Sequence, residues 1–126
     1  MIDQLCDLIG GSKTVAAATD AFYRRVLADD TLRGFFKEAD LARLRERQSM
    51  FVSMLLGGRV VYTGKDIAAV HARVRAAGLN DAHFDRFLEH FRGALLEVGV
   101  RGDKVNQVVE LLENRRDAVL HPGKEG

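Results

Sequence analysis

The strongest constraint on the fold is that apolar side chains recur with a helical period along most of the chain. Residues three or four positions apart lie on one face of an α-helix. The strand-like run Val60-Val61-Tyr62 is closely flanked by glycines, so we interpret it as a loop. We therefore predict an all-α protein with five or six helices. The clearest stripes are Val15, Thr19, Phe22 and Val26; Leu41, Leu44, Gln48, Phe51 and Leu55; Phe84, Phe87, Leu88, Phe91 and Leu95; and Val105, Val108, Val109, Leu112 and Val119.

Capping residues and glycines predict where these helices begin and end. Side-chain oxygens of Ser, Asp and Asn accept hydrogen bonds from first-turn N–H groups, and glycine is favoured just past a helix end. By these signals His71 falls on a short helix that Asp66 begins and Gly78 ends. The other predicted caps are Ser12, Asp29-Asp30 for a short turn carrying Phe35 and Phe36, Asp40, Asn80 or Asp81, and Asp103. The other predicted ends are Gly10-Gly11, Asp29-Asp30, Gly57-Gly58, Gly99 and Pro122.

Length and charge narrow the class of protein. A chain of 126 residues predicts one domain, residues 1–126. With 19 basic and 18 acidic residues there is no electrostatic case for a nucleic acid or an anionic membrane as partner. Cys6 is the only cysteine, so no intramolecular disulfide forms. The first residues lack a signal-peptide pattern and no run approaches the ~20 apolar residues of a membrane span. We expect a cytoplasmic protein.

Three polar residues lie on or beside apolar stripes: Tyr23, Gln48 and His71. A buried polar group costs about 1–3 kcal/mol unless it finds a partner. His71 is either a core histidine bonded to a carbonyl or a metal ligand, and a haem needs only one such ligand on its proximal side. Gln48 either bonds another buried polar group or offers its NH2 to a ligand. Tyr23 by itself is typical of a core edge.

The sequence contains no motif typical of other metal sites or of nucleotide binding. The four histidines are His71, His83, His90 and His121, and none belongs to a Glu-x-x-His or His-Glu-x-x-His motif. His83 and His90 have no neighbouring carboxylate or cysteine cluster, so we interpret them as residues of a solvated face. The glycines form neither a G-x-G-x-x-G motif nor a phosphate-binding loop.

A series of short motifs runs along the chain from residue 5 to 120. In order, they are Gly10-Gly11, Phe22-Tyr23-x-Arg25-Val26-Leu27-x-Asp29-Asp30, Phe35-Phe36, Gln48-x-x-Phe51, Gly57-Gly58, Tyr62-Thr63-Gly64, His71 and Gly78-Leu79-Asn80-x-x-His83-Phe84. In this order the motifs resemble those of the group I (N-type) truncated haemoglobins. The resemblance implies a two-over-two helical sandwich around one haem, with a shortened proximal helix.

The resemblance assigns a role to each matching residue. His71 matches the proximal histidine that ligates the iron, and Tyr23 and Gln48 match the distal hydrogen-bond donors. Phe36 matches the phenylalanine that packs on the haem, and Leu44 falls where many globins keep a distal histidine. The remaining matches are the pocket-lining positions Phe51, Leu55, Phe84 and Phe87, and the propionate-reaching positions Arg47 and Tyr62.

The chain departs from some relatives at three positions. Arg47 stands where some of them place a histidine that becomes a sixth iron ligand, and an arginine offers no lone pair. Asn114 stands where some carry a histidine that attaches covalently to haem. We therefore expect haem b (iron protoporphyrin IX) held non-covalently, with an open distal side. Val52 stands where some members carry a bulky aromatic in a gas tunnel, which would leave that route less restricted.

Two classes of function follow from the resemblance, and a third does not depend on it. The first is an enzyme that oxidises NO to nitrate, or acts like a peroxidase, and draws electrons from a separate reductase. The second is a protein that stores, transfers or senses O2 without turnover. Both bind O2, NO and CO, and we expect a monomer. The third is a haem-free helical interaction module, in which His71 is an ordinary core residue.

Overall fold

The chain is all-α in the computed structural model, which describes residues 8–37, 40–56 and 71–121 and places no strand within them. This confirms the predicted fold class. The elements are α1 (Gly11–Leu27), the 3-10 helix η1 (Arg33–Phe36), α2 (Leu41–Leu56), α3 (Ala72–Ala76), α4 (Asp81–Glu97), α5 (Gly102–Glu113) and α6 (Arg116–Leu120). No helix among the described residues is long and apolar enough to cross a membrane. The sequence also predicts a short first helix, Ile2 to Ile9, of which only the last two residues are described. The loop around Val60 and the cap at Asp66 lie outside the described residues.

Side-chain caps fix the starts of two helices as predicted. Asn80 Oδ1 accepts from the N–H of His83 at 3.1 Å, and the Asn80 N–H donates back to His83 Nδ1 at 3.1 Å. This reciprocal pair satisfies two backbone N–H groups at the start of α4. Asp40 Oδ1 accepts from the N–H of Arg43 at 3.2 Å at the start of α2.

The start of α1 differs from the prediction. Gly10, not Ser12, is the N-terminal cap, and it makes no side-chain hydrogen bond. Gly10 and Gly11 have φ angles of 117° and 79°, which side-chain-bearing residues rarely adopt. The two glycines turn the chain directly into the helix, so Ser12 already lies within its first turn.

The last predicted helix is two helices. α5 begins after Arg101 without a side-chain cap, so the predicted cap at Asp103 is wrong, although Asp103 does lie in the first turn. The helix then ends at Glu113, and α6 begins at Arg116. The break allows Arg116 to reach Asp81 on α4. Such a contact between distant segments leaves no trace in the local apolar period, which runs on to Val119.

The four long helices form two packed pairs around the main core. α1 packs against α2 and α4, α4 packs against α5, and α2 also contacts α5. This core includes the completely or almost completely buried residues Val15, Ala18, Val26, Leu32, Val52, Ala94, Leu95, Val105 and Val108. A second, smaller core joins the start of α4 to α6 and contains Phe84, Ala118, Val119 and Leu120.

Candidate functional site

A buried tyrosine and a half-buried glutamine meet between α1 and α2. Tyr23 is only 3% exposed, and its hydroxyl donates a hydrogen bond to Gln48 Oε1. The two residues are 25 positions apart in the chain, so the packing of the two helices brings them together. A tyrosine hydroxyl has one proton. That proton is used by Gln48 in this arrangement, which leaves the Gln48 NH2 group as the donor for a third group.

Burial keeps this tyrosine protonated. Removal from water raises the pKa of Tyr23 to about 12, and the positive charge of Arg45 offsets only part of that rise. Arg45 is itself held by Asp20, with Nε 3.4 Å from Oδ1. In this arrangement Tyr23 is therefore a neutral phenol at physiological pH, and it donates its proton to Gln48.

Aromatic side chains surround the tyrosine. The Phe36 ring meets the Tyr23 ring edge-on, with 5.6 Å between centroids, and meets Phe87 at 6.0 Å. Phe22 contacts both Tyr23 and Phe87, at 5.1 and 6.0 Å. Phe36, Leu44 and Phe87 pack against the main core but are only half-buried. Part of each apolar surface therefore faces outward from the core, beside the two polar side chains.

This surface suits a large flat apolar group such as haem. The half-buried rings supply an apolar contact surface, and the NH2 group of Gln48, which Tyr23 leaves as a free donor, supplies polar hydrogens. The second core is separate from the main core. His71 is the N-terminal cap of α3. His71 is half-buried. Among the described residues no group of three or more His, Cys, Asp or Glu could hold a bare metal ion. A haem asks for only one protein ligand on its proximal side, so the donor set fits haem.

The other predicted site residues have different surroundings. Phe84 is buried in the second core, where the Arg116 guanidinium lies over its ring at 4.8 Å from the centroid. Arg47 is exposed on α2. Val52 lies within the main core and is almost fully buried. Asn114 follows α5 as its C-terminal cap. Tyr62 and the side chains of Phe51 and Leu55 lie outside what the structure describes, and their predicted roles remain predictions.

The chain matches known proteins over nearly its whole length. The family described as bacterial-like globin matches residues 4–121. The chain belongs to the bacterial-like globin family, among the group 1 truncated haemoglobins. It is 34% identical over 112 residues to the group 1 truncated hemoglobin of Tetrahymena pyriformis, which covers 89% of this chain and 90% of the relative. It is 37% identical over 105 residues to the protein GlbN of Synechocystis, covering 82% and 85% respectively.

Solved structures show the same architecture. The 2/2 hemoglobin from Synechococcus sp. PCC 7002, in the cyanomet state with covalently attached heme, superposes with a TM-score of 0.86 at 32% identity. The match covers 94% of this globin and 98% of that protein. The two packed helix pairs are thus the two-over-two sandwich of truncated haemoglobins. As a globin, this chain binds small gaseous ligands through haem.

Sequence reasoning missed the ion network that Asp29 forms with Arg86 and His90. Asp29 Oδ1 accepts from the N–H of Thr31 at 2.9 Å, which shapes the turn leading to η1 and Phe36. Its Oδ2 accepts from Arg86 Nε at 3.0 Å and lies 2.7 Å from His90 Nε2. The prediction that Asp29-Asp30 caps the short turn agrees with the Thr31 bond. The prediction of a solvated face for His90 is wrong, because His90 is half-buried against Asp29. The single available signal was the predicted position of Arg86 and His90 on one helix, four residues apart.

Proposed function

We propose that this globin binds O2, NO and CO at haem b held non-covalently by His71, and that it oxidises NO to nitrate. The observation behind the proposal is the buried Tyr23–Gln48 hydrogen bond, which lies beside the apolar surface of Phe36 and Phe87. A pair of polar side chains among apolar rings serves a ligand that is small and becomes negatively charged when it binds. The proposal includes a cytoplasmic monomer.

Gln48 and Tyr23 have different parts in holding such a ligand. Tyr23 fixes the Gln48 amide by donating to its Oε1 atom, so the NH2 group is oriented before the ligand arrives. Gln48 then donates one of its two amide protons to the ligand. Tyr23 either keeps its proton on Gln48 or redirects it to the ligand, and its pKa of about 12 keeps that proton in place. Both protons favour a charged acceptor.

His71 and the apolar residues have the remaining roles. A neutral imidazole binds iron through its unprotonated nitrogen, and one such ligand holds a haem on its proximal side. His71 would supply that nitrogen as the proximal ligand. Phe36 and Phe87 exclude water from the distal side. Leu44 has no atom that ligates iron, and an arginine such as Arg47 offers no lone pair, so neither competes with a gaseous ligand. With asparagine at position 114, no histidine is available there to bond covalently to the haem.

The turnover requires an electron donor. When bound, ferrous haem would supply an iron site for O2 and the one electron that the conversion of NO and O2 to nitrate requires. A separate reductase must therefore return one electron for each NO consumed. The sequence has no flavin or nicotinamide motif of its own.

The decisive kinetic test is O2 release from the reduced protein, measured by stopped-flow displacement with CO. A hydrogen bond to a charged acceptor contributes about 1.5–3 kcal/mol, which corresponds to about one to two orders of magnitude in rate. Tyr23→Phe should raise the O2 dissociation rate at least about tenfold. Gln48→Leu should raise it by a similar factor, and the double variant by less than the product, because Tyr23 orients Gln48.

Dissociation of CO is the matched control for these variants, because CO accumulates less negative charge than O2. Its rate should change far less than that of O2. An O2 dissociation rate within about twofold of the original in Tyr23→Phe would show that the distal pair does not stabilise the ligand.

Turnover of NO tests the enzymatic part of the proposal. The reduced, O2-saturated protein should consume NO with formation of one nitrate per NO, repeatedly when a ferredoxin–NADP reductase and NADPH are present. Gas binding with slow O2 release but no nitrate would leave storage, transfer or sensing of O2 as the function. A protein that takes up no haem would instead be a helical interaction module.

A further inference from the structure

The helix that carries the proximal histidine is too short to hold itself in place. α3 spans only Ala72–Ala76, five residues, and His71 is its N-terminal cap. Isolated helices shorter than about 12–15 residues are marginal in water, because few backbone bonds offset the cost of starting the helix. The position of α3 must therefore be set by its contacts with the rest of the protein.

Arg75 supplies such a contact. Its Nη1 atom donates to the backbone carbonyl of Val119 at 2.8 Å, across 44 positions of the chain. The carbonyl is on the last turn of α6, where helix carbonyls lack partners within their own helix. Arg75 thus satisfies an acceptor that is otherwise unpaired within the helix, and Arg75 itself is half-buried.

Val119 is a firm point of attachment. It is buried with Ala118 and Leu120 against Phe84 in the second core. One turn earlier, Arg116 bonds Asp81 Oδ1 at 3.1 Å and the Asp81 carbonyl at 3.2 Å, which ties α6 to the start of α4. Through α6, the bond between Arg75 and Val119 therefore connects α3 to the start of the long helix α4.

Arg75 also lies where it controls the orientation of His71. The two residues are four positions apart, and the Arg75 N–H donates to the His71 carbonyl at 3.0 Å. Side chains four positions apart lie on the same side of a helix. Fixing the Arg75 side chain to α6 therefore fixes both the position of α3 and its rotation about its own axis. The direction of the His71 ring depends on both.

We propose that Arg75 is a positioning residue for the proximal histidine, which acts by bonding α3 to the Val119 carbonyl. The proposal rests on the proposed role of His71 as the iron ligand. Without the Arg75 bond, α3 shifts relative to α6, and the His71 ring approaches the iron at a wider range of distances and angles. The iron–histidine bond then weakens and haem leaves more readily.

The test uses the haem-containing protein and the variants Arg75→Met, Arg75→Lys and Arg92→Met. Methionine keeps the apolar stem of arginine but has no donor, whereas lysine keeps a charged donor. Arg92 is the matched control, because its Nη1 donates to Asn106 at 2.5 Å between α4 and α5, away from α3. The measurements are haem transfer to excess apomyoglobin and the iron–histidine stretching band of the reduced protein by resonance Raman spectroscopy.

We expect Arg75→Met to raise the rate of haem transfer about tenfold, which corresponds to about 1.4 kcal/mol. Its iron–histidine band should shift or broaden. Arg75→Lys should recover most of the original rate, and Arg92→Met should match the original protein in both measurements. Unfolding of each variant without haem provides the structural comparison, because a loss of haem that comes only from general destabilisation would leave the Raman band unchanged.

Two results would overturn the inference in distinguishable ways. If Arg75→Met keeps the original band and transfer rate while His71→Ala loses haem, Arg75 does not position the ligand and the role of His71 stands. If His71→Ala keeps haem with an unchanged spectrum, His71 is not the ligand, and the proposed function and this inference both fail.

Discussion

Replacing Asp29 by asparagine is expected to lower the free energy of unfolding by about 2 kcal/mol at pH 7. The Asp29 side chain is 4% exposed and joins the turn before η1 to α4. Its Oδ2 atom lies 2.8 Å from Arg86 Nη2 and 2.7 Å from His90 Nε2. Because a carboxylate only accepts, both nitrogens must donate to it. In Asp29→Asn, an NH2 group would stand in place of Oδ2. This group is itself a donor, so three donors would meet there without an acceptor.

The magnitude follows from the pKa of the carboxyl group. Burial alone would raise the pKa of Asp29, but hydrogen bonds from His90, the Thr31 N–H and Arg86 outweigh it and lower the pKa from 3.8 to about 2. At about 1.36 kcal/mol per pH unit this corresponds to about 2.4 kcal/mol. The Arg86 side chain is 48% exposed, so solvent screens its charge and we reduce the figure to about 1–2 kcal/mol. The rest of the expected loss of about 2 kcal/mol comes from the asparagine NH2 group, which would face the Arg86 and His90 donors without an acceptor.

The pH dependence has a definite sign. A carboxyl group whose pKa is lower in the folded state stabilises the fold above its unfolded pKa, and this stabilisation is lost as pH falls through the folded value. The stability difference between the original protein and Asp29→Asn should therefore be constant above about pH 5. It should shrink as the pH falls from about 4 towards 2.

Urea unfolding followed by circular dichroism, between pH 7 and pH 2.5, measures this difference. The neighbouring Asp30 is the matched control, because its side chain is 84% exposed and contacts only Arg33 Nη1 at 3.0 Å among the described residues. Asp30→Asn should change the free energy of unfolding by less than about 0.5 kcal/mol. If Asp29→Asn behaved like Asp30→Asn, or if its effect did not shrink in acid, the ion network would not stabilise the fold.

Three further predictions test the remaining contacts. Arg116→Met should lower the free energy of unfolding, measured in urea, by about 2 kcal/mol. The reason is that Asp81, Asp85 and Glu113 lose a shared partner whose side chain is only 18% exposed. An effect below about 0.5 kcal/mol would contradict this. In the same assay, Asn80→Ala should lower the free energy of unfolding by about 1 kcal/mol and Asn80→Asp by only a few tenths, since aspartate also caps helices. Equal effects of the two variants would count against the capping box. In an absorbance titration of phenolate, Tyr23 should ionise near pH 12, and Tyr23→Phe should remove that step. Loss of a step near pH 10 in Tyr23→Phe would instead show that the Tyr23 hydroxyl is solvated.

Much of the fold was predictable because its signals are local. The apolar period located the long helices, and the caps at Asp40 and Asn80 were predicted from residues within one turn of the helix start. The cap at Ser12 was predicted wrongly because two glycines at positive φ begin α1 earlier. The fold class and the family were confirmed by residues spread over the whole chain.

The contacts between distant segments could not be predicted from local patterns. The Tyr23–Gln48 bond was anticipated in part, because one of the two interpretations of Gln48 was a bond to another buried polar group and the family resemblance places both residues on the distal side. The bonds of Asp29 to Arg86 and His90 span 57 and 61 positions, and neither periodicity nor spacing indicates them. The break after Glu113 was missed for the same reason, because the carboxylates of α4 that Arg116 contacts from α6 are 31 and 35 positions away in the chain.

The central claim is that His71 holds haem opposite a distal side governed by Tyr23 and Gln48. The most direct measurement is the visible absorption spectrum of the purified protein and of His71→Ala, each supplied with haem, in the ferric, reduced and CO-bound states. We predict a strong Soret band that shifts with CO in the original protein, and loss of haem or of the five-coordinate reduced spectrum in His71→Ala. No Soret band after reconstitution, or identical spectra for the two proteins, would contradict the account.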